Sequence, residues 1–158
     1  MAFSLHCFTE IPVKDWMVLL NHPDVIRHMP LADTRWGESA VADWAKAKDA
    51  QWQESGYGPH AIRIDGHFAG WGGFQREGDE ADFALVLLPQ YWGQGASIFR
   101  SFMRDRSALG IGPVSILLPP SRVRTQGLAR LGFSPAGEII YEGQRFLKFV
   151  TQAPAPQA

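Results

Sequence analysis

The run Phe83-Ala84-Leu85-Val86-Leu87-Leu88 stops at Pro89 and passes at once into Gln90-Tyr91-Trp92-Gly93-Gln94-Gly95-Ala96. An unbroken apolar run of this length predicts a strand covered on both faces, entered from a polar opening at Glu80 and Asp82. Proline and two glycines end it, and the stripe Phe99, Phe102, Met103 then predicts a helix from about Ala96 to Ala108. Gly110 and Gly112 close that helix before a second apolar strand, Val114 to Leu118. Strand, helix, strand in this order is a crossover, so the two strands are parallel. Gly93, Gly95 and Ser121 then lie at the carboxyl ends of neighbouring strands, where open α/β sheets bind ligands.

The rest of the chain supplies the other layers. Phe3 to Phe8 alternates weakly, as an edge strand does. Ile11, Trp16, Leu19 and Leu20 recur at helical spacing with Pro12 near the start, and Val25, Ile26 and Met29 suggest a short helix ending at Pro30. Residues 38–53 place Val41, Trp44, Ala45, Lys48 and Trp52 on one side of a longer helix, stopped by Gly56 and Gly58. Asp65-Gly66 between Ala61–Ile64 and His67–Trp71 is the signature of a two-residue hairpin turn. Pro119, Pro120 and Ser121 open a helix carrying Val123, Leu128 and Leu131, with Gly132 as its cap. Phe133–Tyr141 and Arg145–Val150 form a last strand pair around Glu142-Gly143.

Composition bounds what such a chain does. With 158 residues, one domain over 1–150 with a disordered tail over 151–158 is expected. The net charge of −1 gives no drive toward nucleic acid or an anionic membrane, and no apolar run nears the ~20 residues that span a bilayer. A lone cysteine, Cys7, and a first segment unlike a signal peptide suit a soluble cytoplasmic protein. The five histidines show no metal-ligand spacing with Cys7, so no metal is expected, and the absence of Gly-x-Ser-x-Gly disfavours serine hydrolysis.

Charge placement is less even than the total. Residues 97–131 carry Arg100, Arg104, Arg106, Arg122, Arg124 and Arg130 against Asp105 alone, while Glu77, Asp79, Glu80 and Asp82 crowd one turn and strand start. Each is an ordinary solvated surface unless both border one cleft. Glycines after a strand let backbone N–H groups approach an anion, and the following helix adds the positive end of its dipole. The phosphate loops of nucleotide-binding proteins do not match: no Gly-Lys-Ser/Thr follows, and Ile98 stands where the dinucleotide pattern needs its third glycine. Gln-x-x-Gly-x-Gly remains, shaped for a pyrophosphate or for plain chain reversal.

With these residues in place, the sequence resembles the GNAT superfamily of acyl-CoA-dependent N-acetyltransferases, and looks most like its Rim-type, ribosomal-protein N-terminal branch. Gln90, Gly93 and Gly95 match the family's loop, Tyr91 and Trp92 resemble that branch, and Asn21 to Pro30 is similar to its early helical segment. Leu131-Gly132-Phe133 matches the end of the family's last helix. The resemblance implies an α/β (α+β) fold: a mixed, largely antiparallel central sheet with a parallel central pair splayed apart and helices on both faces. It implies acetyl-CoA along Leu85, Val86 and Leu87, with its phosphates on Gln90 through Ala96 (Gln94 included) and beside Ser121 and Arg124.

The activity implied is acetyl transfer from acetyl-CoA to a primary amine, on a peptide or a small molecule, by direct attack. The resemblance leaves room for a homodimer. An ammonium of pKa near ~10.4 must first lose a proton. Asp82 holds the place of the carboxylate in the family's strand opening but lies roughly 20 Å before Leu88 along an extended strand, so Asp82 or Glu80 would serve through water as base or as the charge steering the amine; each is also what a solvent-facing strand start looks like. Ser121 would protonate the leaving thiolate, or simply cap its helix. Tyr141 is an alternative acid, or strand packing. Two departures stand out: Ser121 and Arg124 replace the branch's Asn and Ser, and residues 122–131 hold no tyrosine. They favour the competing reading, a CoA-binding module of the same fold without turnover; a pure interaction domain with a structural glycine loop is the third.

Overall fold

The computed structural model describes residues 2–27, 35–120, 125–130 and 132–151. Along them run β1 (Phe3–His6), α1 (Val13–Leu20), α2 (Pro23–Ile26), α3 (Glu38–Ser55), β2 (Pro59–Ile64), β3 (His67–Glu77) and β4 (Glu80–Leu87). Then follow α4 (Gly95–Asp105), β5 (Val114–Leu118), α5 (Thr125–Arg130), β6 (Phe133–Tyr141) and β7 (Gln144–Thr151). The seven strands form one sheet in the order β1-β2-β3-β4-β5-β7-β6. Every neighbouring pair is antiparallel except β4–β5, which is parallel, as the crossover requires.

Local chemistry accounts for most boundaries. Helix α1 starts after Pro12 and buries Trp16, Leu19 and Leu20. Helix α3 ends at Gly56, whose φ of +79° is the left-handed cap conformation. Asp65 and Gly66 both take positive φ, the mark of the hairpin turn that Asp-Gly encodes. Of the second early helix, Met29 and Pro30 lie outside the described residues, and α2 occupies Pro23–Ile26.

Several boundaries differ from the sequence reading; β1, for one, ends at His6, and Phe8 opens a 3-10 turn instead of ending the strand. The hairpin's second strand does not stop at Trp71 but continues to Glu77 through Gly70, Gly72 and Gly73. Glycine reads as a strand breaker, yet here it permits close approach: a Cβ on Gly70 would stand 2.0 Å from the Val86 carbonyl oxygen. Helix α4 stops at Asp105, and Arg106–Leu109 tighten into a 3-10 turn before Gly110. The last strand includes Thr151, buried and paired with Val114 and Phe133, one residue into the segment expected as tail.

Two apolar layers sandwich the sheet. On one face α1 and α3 cover an aromatic cluster in which Phe8 stacks on Trp16 at 4.8 Å and Trp71 closes the base. On the other, α4 lays Phe99 and Phe102 against Phe74 and Phe83, with Phe83 and Phe99 edge to face at 5.0 Å. Among the described residues no helix is long and apolar enough to cross a membrane.

The feature that positions a site is the unequal pairing of β4. Against β3 it is matched from Gly70↔Leu87 to Glu77↔Glu80; against β5 it is matched only at Ala81↔Val114 and Asp82↔Ser115. Strand β5 instead follows β7 along its whole length. Past Asp82 and Ser115 the two parallel strands part. Ala84, Leu85 and Val86 are accordingly only half-buried, where an apolar run predicts full cover.

Candidate active site

The edge of β4 facing β5 can be read peptide by peptide. The Leu88 N–H donates to the Ala69 carbonyl at 2.8 Å, and the Val86 carbonyl lies against Gly70. Peptides alternate along a strand, so Leu85 and Leu87 turn the other way, into the gap. The Leu87 carbonyl there accepts from the Trp92 indole N–H at 2.8 Å. Of the three residues expected to line a bound arm, Leu85 and Leu87 present backbone to the gap, while Val86 faces β3 and contributes its side chain to the α1–α3 face.

The strand then enters the glycine segment, which folds as a 3-10 turn over Pro89–Gln94 and delivers the chain into α4 at Gly95. The Tyr91 N–H closes it onto the Leu88 carbonyl at 2.9 Å. Neither loop glycine takes a left-handed conformation; Gly95 sits at φ −59°. A Cβ on Gly93 would meet nothing within 4 Å, and one on Gly95 only Leu85 Cδ2 at 3.8 Å. Neither backbone strain nor packing therefore demands glycine here. What the two glycines keep clear is space beside the first-turn amides of α4, which no capping side chain satisfies. The Gln94 Oε1 is buried beside it with no hydrogen-bond partner. A diphosphate fits this cradle chemically, and an extended amide-bearing arm fits the Leu85–Leu87 edge leading to it.

At the point where the strands part stands Asp82, half-buried on the α1–α3 face. Burial, followed by the charge of Glu77 and more weakly Glu80, pushes its carboxyl up to about 7, against the opposing contact from Ser115 and the charge of Lys148. The Ser115 Oγ is 3.5 Å from Asp82 Oδ1 and from the Ala81 carbonyl. Gln75 sits directly across from Asp82 on β3, and its Oε1 accepts from Lys48 Nζ at 2.5 Å. That ammonium also lies 4.6 Å above the Trp71 ring, and burial lowers its pKa to about 8. The Trp71 Nε1 is buried without a partner.

Ser115, Gln75 and Lys48 were not among the residues that sequence reasoning singled out for chemistry. The available signal was a lysine on the apolar stripe of α3, where only a shielded charge belongs. Glu80, by contrast, is exposed and ion-paired to Lys148 Nζ at 2.8 Å. Tyr141 is exposed on edge strand β6, separated from β5 by β7, and the fold does not bring it to Asp82. Ser121 and Arg124 lie outside the described residues, as does Arg122. Arg104 pairs with Asp105 and Arg106 is buried, both near the far end of α4, so this part of the arginine cluster does not face the loop. No group of three or more metal-ligating side chains occurs among the described residues. A cavity of about 220 Å³ lies on the α4 face, lined by Phe3, Leu5, Trp52, His60, Phe102 and Leu109, and Asp82 does not border it.

No family model matches the chain, and no curated protein matches it in sequence. Solved structures do match its fold. An acetyltransferase from Salmonella typhimurium that modifies the N-terminal serine of a 50S ribosomal subunit protein is 16% identical, with 96% of this chain and 94% of that one covered and a TM-score of 0.75. A GNAT-family acetyltransferase from Bacillus anthracis is 12% identical over 96% and 95% of the two chains, with a TM-score of 0.70. The aminoglycoside acetyltransferase AAC(6')-Ib, in complex with coenzyme A, is 13% identical over 96% and 94%, with a TM-score of 0.67. At such identities the likeness establishes the fold: a GNAT-like mixed sheet with a splayed parallel pair.

Proposed function

We propose that the chain is an acyl-CoA-dependent N-acetyltransferase whose acceptor is a primary amine. The observation that carries this reading is the continuity of three features: the Leu85–Leu87 backbone edge, the gap between β4 and β5, and the clear space over Gly93 and Gly95. Acetyl-CoA, the co-substrate, would supply an activated acetyl thioester. On the protein side, the loop amides and Gln94 hold the diphosphate, and the Leu85 and Leu87 peptides pair with the arm. A backbone N–H on that edge polarises the thioester oxygen. Asp82 receives the proton that the acceptor ammonium must lose; a carboxyl near 7 is matched to that task at neutral pH. Ser121, placed after β5 by sequence, is the residue assigned to return a proton to the leaving thiolate.

Glu77, Glu80 and Asp82 make the acceptor side attractive to a cation. Of the two acceptor types, the N-terminus of a protein is favoured by the Rim-type motif residues and by the fold match to the enzyme acting on a ribosomal protein. A small polyamine-like molecule is the alternative, in line with the aminoglycoside enzyme.

Calorimetry with CoA tests the reading. The native chain is expected to bind, and Gly93→Val, whose side chain would fill the cleared space, to keep its melting temperature while losing more than tenfold in affinity. Absence of binding by the native chain at millimolar CoA would remove the proposal. Binding without acetyl-CoA consumption across an amine panel would replace it with a non-catalytic CoA-binding module.

A further inference from the structure

Among the described residues, two side-chain amines lie on the face of the sheet that Asp82 shares: Lys148, ion-paired to Glu80, and Lys48. The Lys48 Nζ bridges two levels of the sheet: it donates to Gln75, which is opposite Asp82, and lies over Trp71, which is opposite Val86. The ammonium thus lies over β3, alongside the stretch of β4 that runs from the proposed base to the edge where the thioester would lie. Trp44 flanks it as well, at 5.8 Å from the ring centroid.

From this placement we infer that Lys48 is itself an acetyl acceptor, an internal modification site on which the chain acetylates its own Nζ when no external amine is bound. The inference rests on the N-acetyltransferase reading. In the step, Nζ loses a proton to Asp82, its lone pair forms the N–C bond to the acetyl carbonyl carbon, and the C–S bond breaks. CoA leaves as the thiol once its sulfur is protonated. The products are N-acetyl-Lys48, CoA and one net proton, and no redox partner is needed. The charged groups facing Nζ are Glu77 from β3 and Asp82 from β4, and both favour its protonated form. Burial outweighs them and lowers the ammonium to about 8, so that at pH 7.5 the nucleophilic free amine is roughly two-hundredfold more populated than for a lysine of ordinary pKa. Acetylation removes the charge and lengthens the side chain over Trp71, which would close the acceptor side against an external amine.

The test is incubation of the intact native protein with acetyl-CoA and no acceptor, followed by peptide mass mapping. The expected result is one acetyl group per chain, on Lys48, at least tenfold faster than on Lys14, Lys46 or Lys148; Lys48→Arg abolishes it and Asp82→Asn slows it. Competitive labelling with acetic anhydride in the absence of CoA gives a second readout: Lys48 should label with a midpoint near pH 8, below the ordinary lysine range. Chains that bind CoA and acetylate an external amine, yet carry no acetyl on Lys48 or spread it evenly over all lysines, overturn this inference and leave the proposed function standing. Failure to bind CoA overturns both.

Discussion

Strand β4 has two edges of opposite character, and the site exists because of the difference. Toward β3 every residue from Glu80 to Leu87 is matched, down to Gly70, where a β-carbon would overlap the Val86 carbonyl. Toward β5 pairing ends after Asp82, and the loop beyond keeps its glycines although nothing in the fold crowds them. Glycine on the closed edge serves packing; glycine at the open end meets no packing demand, and the proposed function assigns it to the ligand. A stable sheet satisfies its backbone groups, so peptides left facing a gap in mid-sheet point to a partner supplied from outside.

The largest expected effect tests the closed edge. Gly70→Val puts a branched side chain on a residue at φ +150° with its Cβ 2.0 Å from a carbonyl oxygen. A loss of roughly 4 kcal/mol or more, seen as a collapsed urea midpoint or insoluble expression, is expected. A well-folded Gly70→Val protein would break the contrast with Gly93→Val.

Asp82→Asn addresses the point where the two edges meet. Turnover should fall by about a hundredfold or more, and the acidic limb of kcat/KM near pH 7 should vanish. Stability responds with a definite sign. The folded carboxyl titrates at about 7, above its ordinary 3.8, so between those values the folded state holds a proton that the unfolded state has released. Its contribution to stability is present at low pH and is lost as pH rises through that window. Native protein should therefore lose stability from pH 4 to pH 7 through this group, and urea titrations of Asp82→Asn should show a flatter slope. An unchanged profile would remove Asp82 from the mechanism.

The smallest effect belongs to Glu80→Gln. Its ion pair with Lys148 is exposed, so the stability change should stay within about 1 kcal/mol. The pH limb should move only slightly to lower pH, because Glu80 is a minor contributor to the raised Asp82 carboxyl. A loss of turnover as large as that of Asp82→Asn would shift the base assignment outward along β4.

Much of the fold was legible because its signals are local. The Asp65-Gly66 turn, the Gly56 cap and the amphipathic stripe of α4 each depend on residues within a few positions of one another. The length of β3 was not legible, since Gly70 and Gly73 look like breakers until Val86 and Pro59 are seen pressed against them. At the site, the loop and Asp82 could be found by motif. Ser115 could not, as an isolated serine in an apolar strand carries no sign that it will meet a carboxylate 33 residues away. Nor could Gln75, whose meaning comes from its register with Asp82 and from a lysine on another element.

By itself the sequence determined the order of strands and helices, the crossover that makes β4 and β5 parallel, and a glycine segment poised at a helix start. These follow from periodicity and turn chemistry, which act over short distances along the chain. Only the tertiary structure decided where β4 and β5 cease to pair, which peptides face the gap, and that Lys48 and Asp82 share one face of the sheet. Those depend on strand register and on the burial of charge, quantities set jointly by segments far apart in the chain and written in none of them alone.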